Sequence, residues 1–163
     1  MKNTALLSLL LFAGATASAD VTRHPLPNNS TFPIARAVEI DAGTALIYHS
    51  GTTPGAANAD AERGSAEYWG DTEAQTLSVF SRMETSFKDL GVGFGDVLKM
   101  TVFLVGDPKL DGRMDFEGFM RAYSKYFGTE DQPNLPARST VQVAGLAADG
   151  MLVEIEVVLA RPE

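Results

Sequence analysis

Charged side chains alternate along two apolar segments near the end of the chain. Arg138 lies in the first segment, and Glu154 and Glu156 share one face of the second. A turn signal at Asp149-Gly150 separates them, so we expect adjacent strands of one sheet. An arginine offers a charged planar fork that fits a carboxylate, and a glutamate can orient or activate water. Spacing alone favours a structural or intersubunit ion pair, and a functional site needs evidence beyond the alternation.

Other reactive side chains lack the partners that their chemistry needs. The chain has no cysteine and two histidines, His24 and His49. A metal site or a serine-histidine triad is therefore not predicted. Lys99 lies in an apolar segment, and we interpret it as a strand lysine whose head reaches solvent or an interface rather than as an amine nucleophile. We therefore expect no metal.

Acidic residues outnumber basic ones by 21 to 13, which gives a net charge of −8. This charge opposes binding to nucleic acid or to an anionic membrane surface. Four acids lie close together in one loop region: Asp60, Glu62, Glu67 and Asp71. Their spacing does not follow a calcium-binding loop, so we expect a solvated surface there.

The start of the chain has the pattern of an export signal. In residues 1–19 a basic residue precedes a short apolar stretch, and Ala17-Ser18-Ala19 provides a small-x-small cleavage site. The pattern predicts cleavage before Asp20 and a mature protein that is periplasmic or secreted. We expect a polar N-terminal arm at residues 20–31 and a single domain at residues 32–163.

Hydrophobic periodicity predicts an α+β domain with the element order ββαβαββ. Strands are expected at 37–40, 45–50, 97–104, 138–143 and 152–159, and helices at 71–90 and about 113–127. Turn residues predict that the first two strands and the last two strands form hairpins. Two helices would then cover one face of a mixed sheet, and another copy of the chain is the simplest cover for the other face.

Several segments together resemble a known family. They are Ser50-Gly51, GDTEAQT at 70–76, LKMTVFL at 98–104, PARSTVQV at 136–143 and LVEIE at 152–156. In these segments the chain resembles the reactive-intermediate deaminases, the RidA/YjgF family, over about residues 32–160.

The resemblance implies a chorismate-mutase-like mixed sheet with two helices packed on one face, assembled as a homotrimer with clefts between subunits. It assigns Arg138 to the carboxylate of the substrate and Glu154 to the attacking water, with Ser50 and Gly51 as further substrate contacts. The implied reaction is hydrolysis of a 2-imino acid, or its enamine, to a 2-oxo acid and ammonia without a cofactor. Ser50 could equally be a hydrogen bonder at a strand end.

Three positions depart from the family pattern. Ile34 stands where a tyrosine is usual, Met120 stands where an asparagine is common, and Thr52 stands where a glutamine is usual. The departures indicate a more apolar pocket. Three hypotheses therefore stay open: an imine hydrolase, a carboxylate-binding trimer without turnover, and a structural trimer in which Arg138 and Glu154 only pair across an interface.

Overall fold

The structure, a computed structural model, describes residues 21–162, so the predicted signal segment lies outside the described residues. The strands are β1 (Val21–His24), β2 (Ala37–Ile40), β3 (Leu46–Thr52), β4 (Val97–Val105), β5 (Ala137–Val143) and β6 (Val153–Ala160). The α-helices are α1 (Ala66–Trp69), α2 (Thr72–Leu90) and α3 (Phe116–Tyr123). Two short 3-10 helices, Phe94–Asp96 and Pro108–Leu110, flank β4.

The main sheet has the strand order β3-β6-β4-β5. β4 and β5 are parallel, and the other neighbours are antiparallel. A parallel pair needs a crossover connection, and α3 lies in the chain between these two strands. Along β4, Met100, Val102 and Leu104 are fully buried, while the residues between them are partly exposed. The sheet therefore has one core face and one more open face.

Both long helices are fixed by local signals at their ends. The Asp71 side chain accepts a hydrogen bond from the Ala74 backbone amide at 2.9 Å at the start of α2. Gly91 ends α2 in the left-handed region, with φ of 72°. The Asp115 side chain accepts from the Gly118 amide at 2.8 Å at the start of α3. α2 therefore spans nearly the whole of the helix predicted at 71–90.

The two long helices pack on the same face of the sheet, as predicted. Apolar side chains of α2, α3 and the core face of the strands form one buried cluster. On the opposite face, the described chain leaves Tyr48 77% exposed and Val141 43% exposed. The prediction of a mixed sheet with two helices on one face is therefore confirmed.

The N-terminal part of the domain differs from the prediction. Residues 20–31 were expected to hold no element, but β1 lies there and pairs antiparallel with β2 in a separate two-stranded sheet. The expected hairpin of β2 with β3 is wrong, because β3 pairs with β6 instead. The turn at residues 41–44 forms, with Thr44 donating to the Asp41 carbonyl at 3.3 Å, but it carries the chain from one sheet to the other.

The expected hairpin of the last two strands is also wrong. β4 lies between β5 and β6, so Arg138 and Glu154 are not on adjacent strands. The turn signal at 149–150 predicts only that the chain reverses there. It does not predict that β4 lies between the two strands that this turn connects. The crossover through α3 makes β5 a parallel partner of β4, and β6 then occupies the other edge of β4.

The second long helix is shorter than the predicted span of about 113–127. It begins after Asp115, whose side chain caps it, and it ends at Tyr123. Beyond that point Lys125 and Tyr126 donate to carbonyls three residues earlier, which is a tighter turn than an α-helix. Buried apolar side chains nevertheless continue as far as Phe127, the last residue of the predicted helix, which is 1% exposed.

Candidate functional site

Arg138 lies on the helix-covered face of the sheet. Its register partner on β4 is Met100, which in turn pairs with Val157 of β6. Both partners belong to the buried cluster under the helices. The side chain of Arg138 therefore extends along the layer between sheet and helices, toward α3.

Four aromatic rings surround the guanidinium of Arg138, and we call this group the aromatic cage. The distances from Arg138 Cζ to the ring centroids are 4.3 Å for Tyr123, 5.0 Å for Phe119, 5.5 Å for Phe32 and 5.8 Å for Phe116. Aromatic faces attract a guanidinium, and the attraction is strongest where water is excluded. The cage keeps a cation close to the protein core.

The cation in this cage has unsatisfied hydrogen-bonding capacity. Nη1 of Arg138 is buried and has no hydrogen-bond partner, and Nη2 lies 3.3 Å from the Met120 sulfur, a weak acceptor. Within residues 21–162, no acidic side chain forms a salt bridge with Arg138. Burial lowers the pKa of the Arg138 guanidinium from its ordinary value. The arginine is a buried donor that lacks an anionic acceptor.

Tyr123 forms the inner wall of the cage. It is fully buried, and its hydroxyl donates a hydrogen bond to the Pro33 carbonyl at 2.8 Å. Burial raises the pKa of the Tyr123 hydroxyl to about 12. Tyr123 therefore stays neutral, and it links α3 to the segment that carries Phe32 and Ile34.

Glu154 and Glu156 lie on the opposite face of the sheet from Arg138. Their register partners on β4 are Phe103 and Thr101, which alternate with the buried residues of that strand. Arg138 and Glu154 therefore form no ion pair within one chain, and of the two ion-pair arrangements only the one across an interface stays open. The period of two correctly predicts which residues of each strand share a face. It does not predict that Arg138 on β5 and Glu154 on β6 lie on opposite faces of the sheet.

Three of the residues predicted to form the site do lie together on this second face. β3 has an irregular register between His49 and Thr52, at Ser50-Gly51. A Cβ atom added to Gly51 would overlap the carboxylate of Glu154, so the absent side chain gives that carboxylate its position. A cavity of 370 Å³ beside them is lined by Ser50, Tyr48, Lys99, Thr101 and Glu156, among others.

The remaining candidates take the places that their strand positions predict. Lys99 extends onto the open face, where its Nζ donates to Ser139 Oγ at 2.9 Å. His49 points the other way, toward α2, with Nε2 2.9 Å from Ser86 Oγ and its ring edge-on to Phe87 at 5.4 Å. In the described part of the chain, no group of three His, Cys, Asp or Glu side chains is arranged to hold a metal ion.

The aromatic cage is the part of the site that sequence reasoning missed. Phe119 and Tyr123 of α3 are 0% exposed, as is usual for the apolar face of a helix that packs on a sheet. The same rings also form the wall around Arg138. A signal was present in the spacing, because aromatic residues at 116, 119 and 123 share one helix face next to the strand that carries the arginine.

Comparison with known proteins defines the class to which this fold and site belong. The family model described as endoribonuclease L-PSP matches residues 27–161. A RutC family protein of Synechocystis sp. is 36% identical over 93 residues, which are 57% of this chain and 64% of that protein. The chain spans less than two thirds of the length of the curated relatives that it matches.

Solved structures agree on the fold. A protein of unknown function of the Rid family from Yersinia pestis has a TM-score of 0.63 at 21% identity, over 85% of this chain and 98% of that chain. The structure of TdcF from E. coli with bound serine has a TM-score of 0.55 at 28% identity, over 79% and 92%. The α+β fold is thus shared with these proteins, and the chain belongs to the RidA/YjgF family, whose model is described as endoribonuclease L-PSP.

Among residues 21–162, no helix has the length and apolar character needed to cross a bilayer.

Proposed function

We propose that the protein hydrolyses 2-imino acids, or their enamine tautomers, to 2-oxo acids and ammonia without a cofactor. The observation that carries this proposal is the Arg138 guanidinium, which is held in the aromatic cage with Nη1 buried and unpaired. A buried cation that lacks an anion is costly. A substrate carboxylate would supply the missing acceptors, and each charge-assisted hydrogen bond contributes about 1.5 to 3 kcal/mol.

The chemistry needs little more than a fixed carboxylate and a placed water molecule. An imine carbon next to the carboxylate is electrophilic, so water can add to it while its proton passes to a general base. The carbinolamine then loses ammonia, and the C–N bond is replaced by the C=O bond of the 2-oxo acid. In this proposal Glu154 orients the water, and Ser50 and Gly51 contact the substrate.

The two halves of this site come from different subunits in the proposal. Arg138 and Glu154 project from opposite faces of one sheet, so they can converge in one cleft only if each belongs to a different copy. We therefore propose a homotrimer in which each cleft takes Arg138 from one subunit and Glu154, Ser50 and Gly51 from its neighbour. The open sheet face with Tyr48 at 77% exposure offers a surface for that contact.

The relatives support a small carboxylate ligand rather than RNA. The serine in the E. coli TdcF structure carries a carboxylate of the kind that Arg138 would bind. The description of the family model includes the term endoribonuclease. A net charge of −8 opposes association with a polyanion.

A second candidate function is carboxylate binding without turnover by a trimer of the same fold. The observation that favours it is the contact of Met120 Sδ with Arg138 Nη2 at 3.3 Å, where the family commonly has an asparagine. Ile34 also stands in place of a tyrosine hydroxyl. Such a protein would bind 2-oxo acids but release no ammonia from imines.

The N-terminal export pattern leads us to propose that either activity operates in the periplasm or outside the cell.

The deciding experiment measures ammonia and 2-oxo acid release from freshly generated imino acids. We expect the wild type to accelerate hydrolysis, and Arg138→Ala to lose at least about tenfold in kcat/KM, which is about 1.4 kcal/mol of transition-state stabilisation. Arg63→Ala is the matched control, because Arg63 is exposed and far from the cage in sequence. Binding of 2-oxo acids without acceleration of any imine would establish the second candidate instead.

A further inference from the structure

The cage around Arg138 has an inner side and an outer side. Phe119 and Tyr123 are fully buried and close the inner side. Phe32 is 40% exposed, and Phe116 is partly buried, so these two rings face outward. Their centroids are 6.4 Å apart and their planes differ by 15°. A ligand that reaches the guanidinium must therefore pass along Phe32 and Phe116.

The outer ring of Phe32 opens onto a cavity with one apolar wall. The cavity has a volume of 310 Å³; Leu26, Ile34 and Leu135 form its apolar part, and polar side chains such as Ser30, Thr31 and Asn134 line the rest. Cavities of this size hold small organic ligands. A ligand that enters past Phe32 to reach Arg138 would bring its substituent near this apolar wall.

The groove of 630 Å³ next to Phe116 carries charges of both signs. Asp115, Glu117 and Arg113 line it together with the apolar side chain of Met114. Asp115 is already engaged as the cap of α3. An apolar substituent can pack on Phe116 and Met114 there.

On these grounds we infer that the substrates are 2-imino acids with an aromatic or large apolar side chain, and that Phe32 and Phe116 determine this specificity. This inference rests on the proposed function. It adds the class of side chain, which neither the unpaired arginine nor the family relationship determines. Ile34 lines the 310 Å³ cavity together with Phe32, and the Met120 sulfur lies 3.3 Å from Nη2 of the guanidinium.

The test compares kcat/KM for imino acids generated in place by an amino-acid oxidase from phenylalanine, leucine and alanine. We expect the phenylalanine-derived imine to be preferred over the alanine-derived imine by about tenfold or more. Phe32→Ala and Phe116→Ala should each reduce that preference, whereas Phe32→Leu and Phe116→Leu, which keep an apolar side chain, should retain part of it. Thermal unfolding of each variant identifies any that has lost its fold.

Binding of 2-oxo acids tests the side-chain specificity even if the protein hydrolyses no imine. Dissociation constants of phenylpyruvate and pyruvate are measured with the same proteins. If no imine is hydrolysed but phenylpyruvate binds more tightly than pyruvate through Phe32 and Phe116, the proposed function is wrong and the specificity stands. A preference within about twofold, a preference for pyruvate, or a preference that all four variants leave unchanged would overturn the specificity.

Discussion

Arg138 and Glu154 project from opposite faces of the same sheet, on strands that β4 separates. The β4 partner of Arg138 is Met100, and the β4 partner of Glu154 is Phe103. Because these partners are three residues apart on one strand, their side chains point to opposite faces. One chain therefore places Arg138 under α3 and Glu154 on the open face, so a site that uses both must take them from two copies.

Arg138 is expected to lower the free energy of unfolding, although it binds the substrate carboxylate in the proposed function. We expect Arg138→Met to raise the free energy of unfolding by about 1 kcal/mol, because it removes a buried donor without an acceptor and keeps an apolar stem in the cage. Imine hydrolysis should be lost in the same variant. Urea denaturation at fixed protein concentration measures the change. Arg63→Met is the control, and its free energy of unfolding should equal that of the wild type.

The opposite result would be informative. If Arg138→Met lowers the free energy of unfolding by more than about 1 kcal/mol, the attraction of the rings outweighs the cost of the unpaired guanidinium. Arg138 would then be a structural cation rather than an anchor for a ligand.

Gly51 is expected to control the position of the Glu154 carboxylate. Gly51→Ala adds a methyl group that overlaps this carboxylate, so the carboxylate must move. We expect kcat for imine hydrolysis to fall about tenfold or more, because a displaced base no longer orients water. Gly145→Ala is the matched control, since a Cβ there meets nothing within 4 Å. Equal kcat values for the two variants would remove Glu154 from the proposed mechanism.

Tyr123 should make stability sensitive to alkaline pH. Its pKa is raised by burial to about 12, above the ordinary value of about 10 in an unfolded chain. Between these values the unfolded state has lost the proton and the folded state retains it, so stability falls as pH rises. We expect the free energy of unfolding of the wild type to fall by about 2 kcal/mol more than that of Tyr123→Phe between pH 10 and 12, as measured by urea denaturation. Parallel pH curves for the two proteins would contradict the burial of an ionisable hydroxyl.

The sequence predicts most elements because local signals define them. The caps Asp71 and Gly91 mark the ends of α2, and the alternation of buried residues along β4 marks a strand. Strand neighbours are less accessible to this reasoning. A turn signal at 149–150 reports only that the chain reverses, whereas the position of β4 between β5 and β6 depends on the crossover through α3.

The site was predictable by residue type and only partly by arrangement. Period-two alternation places Arg138 and Glu154 on definite faces of their own strands, but it does not relate one strand to another. The proximity of Glu154 to Gly51 depends on the irregular register of β3 against β6, which no local pattern reports. The aromatic cage depends on the packing of α3 and of the Phe32 segment onto β5, and so it required the structure.

The most direct test of a cleft shared between subunits is complementation between two inactive variants. Arg138→Ala and Glu154→Gln are each expected to be inactive as pure proteins. If Arg138 and Glu154 act from neighbouring subunits, randomly mixed trimers obtained by co-refolding equal amounts should recover about a quarter of the wild-type activity, because a quarter of the clefts receive both intact residues. Unmixed samples of the two variants, combined without refolding, are the control. Activity that stays at the level of this control after co-refolding, with trimers present by light scattering, would contradict the shared cleft.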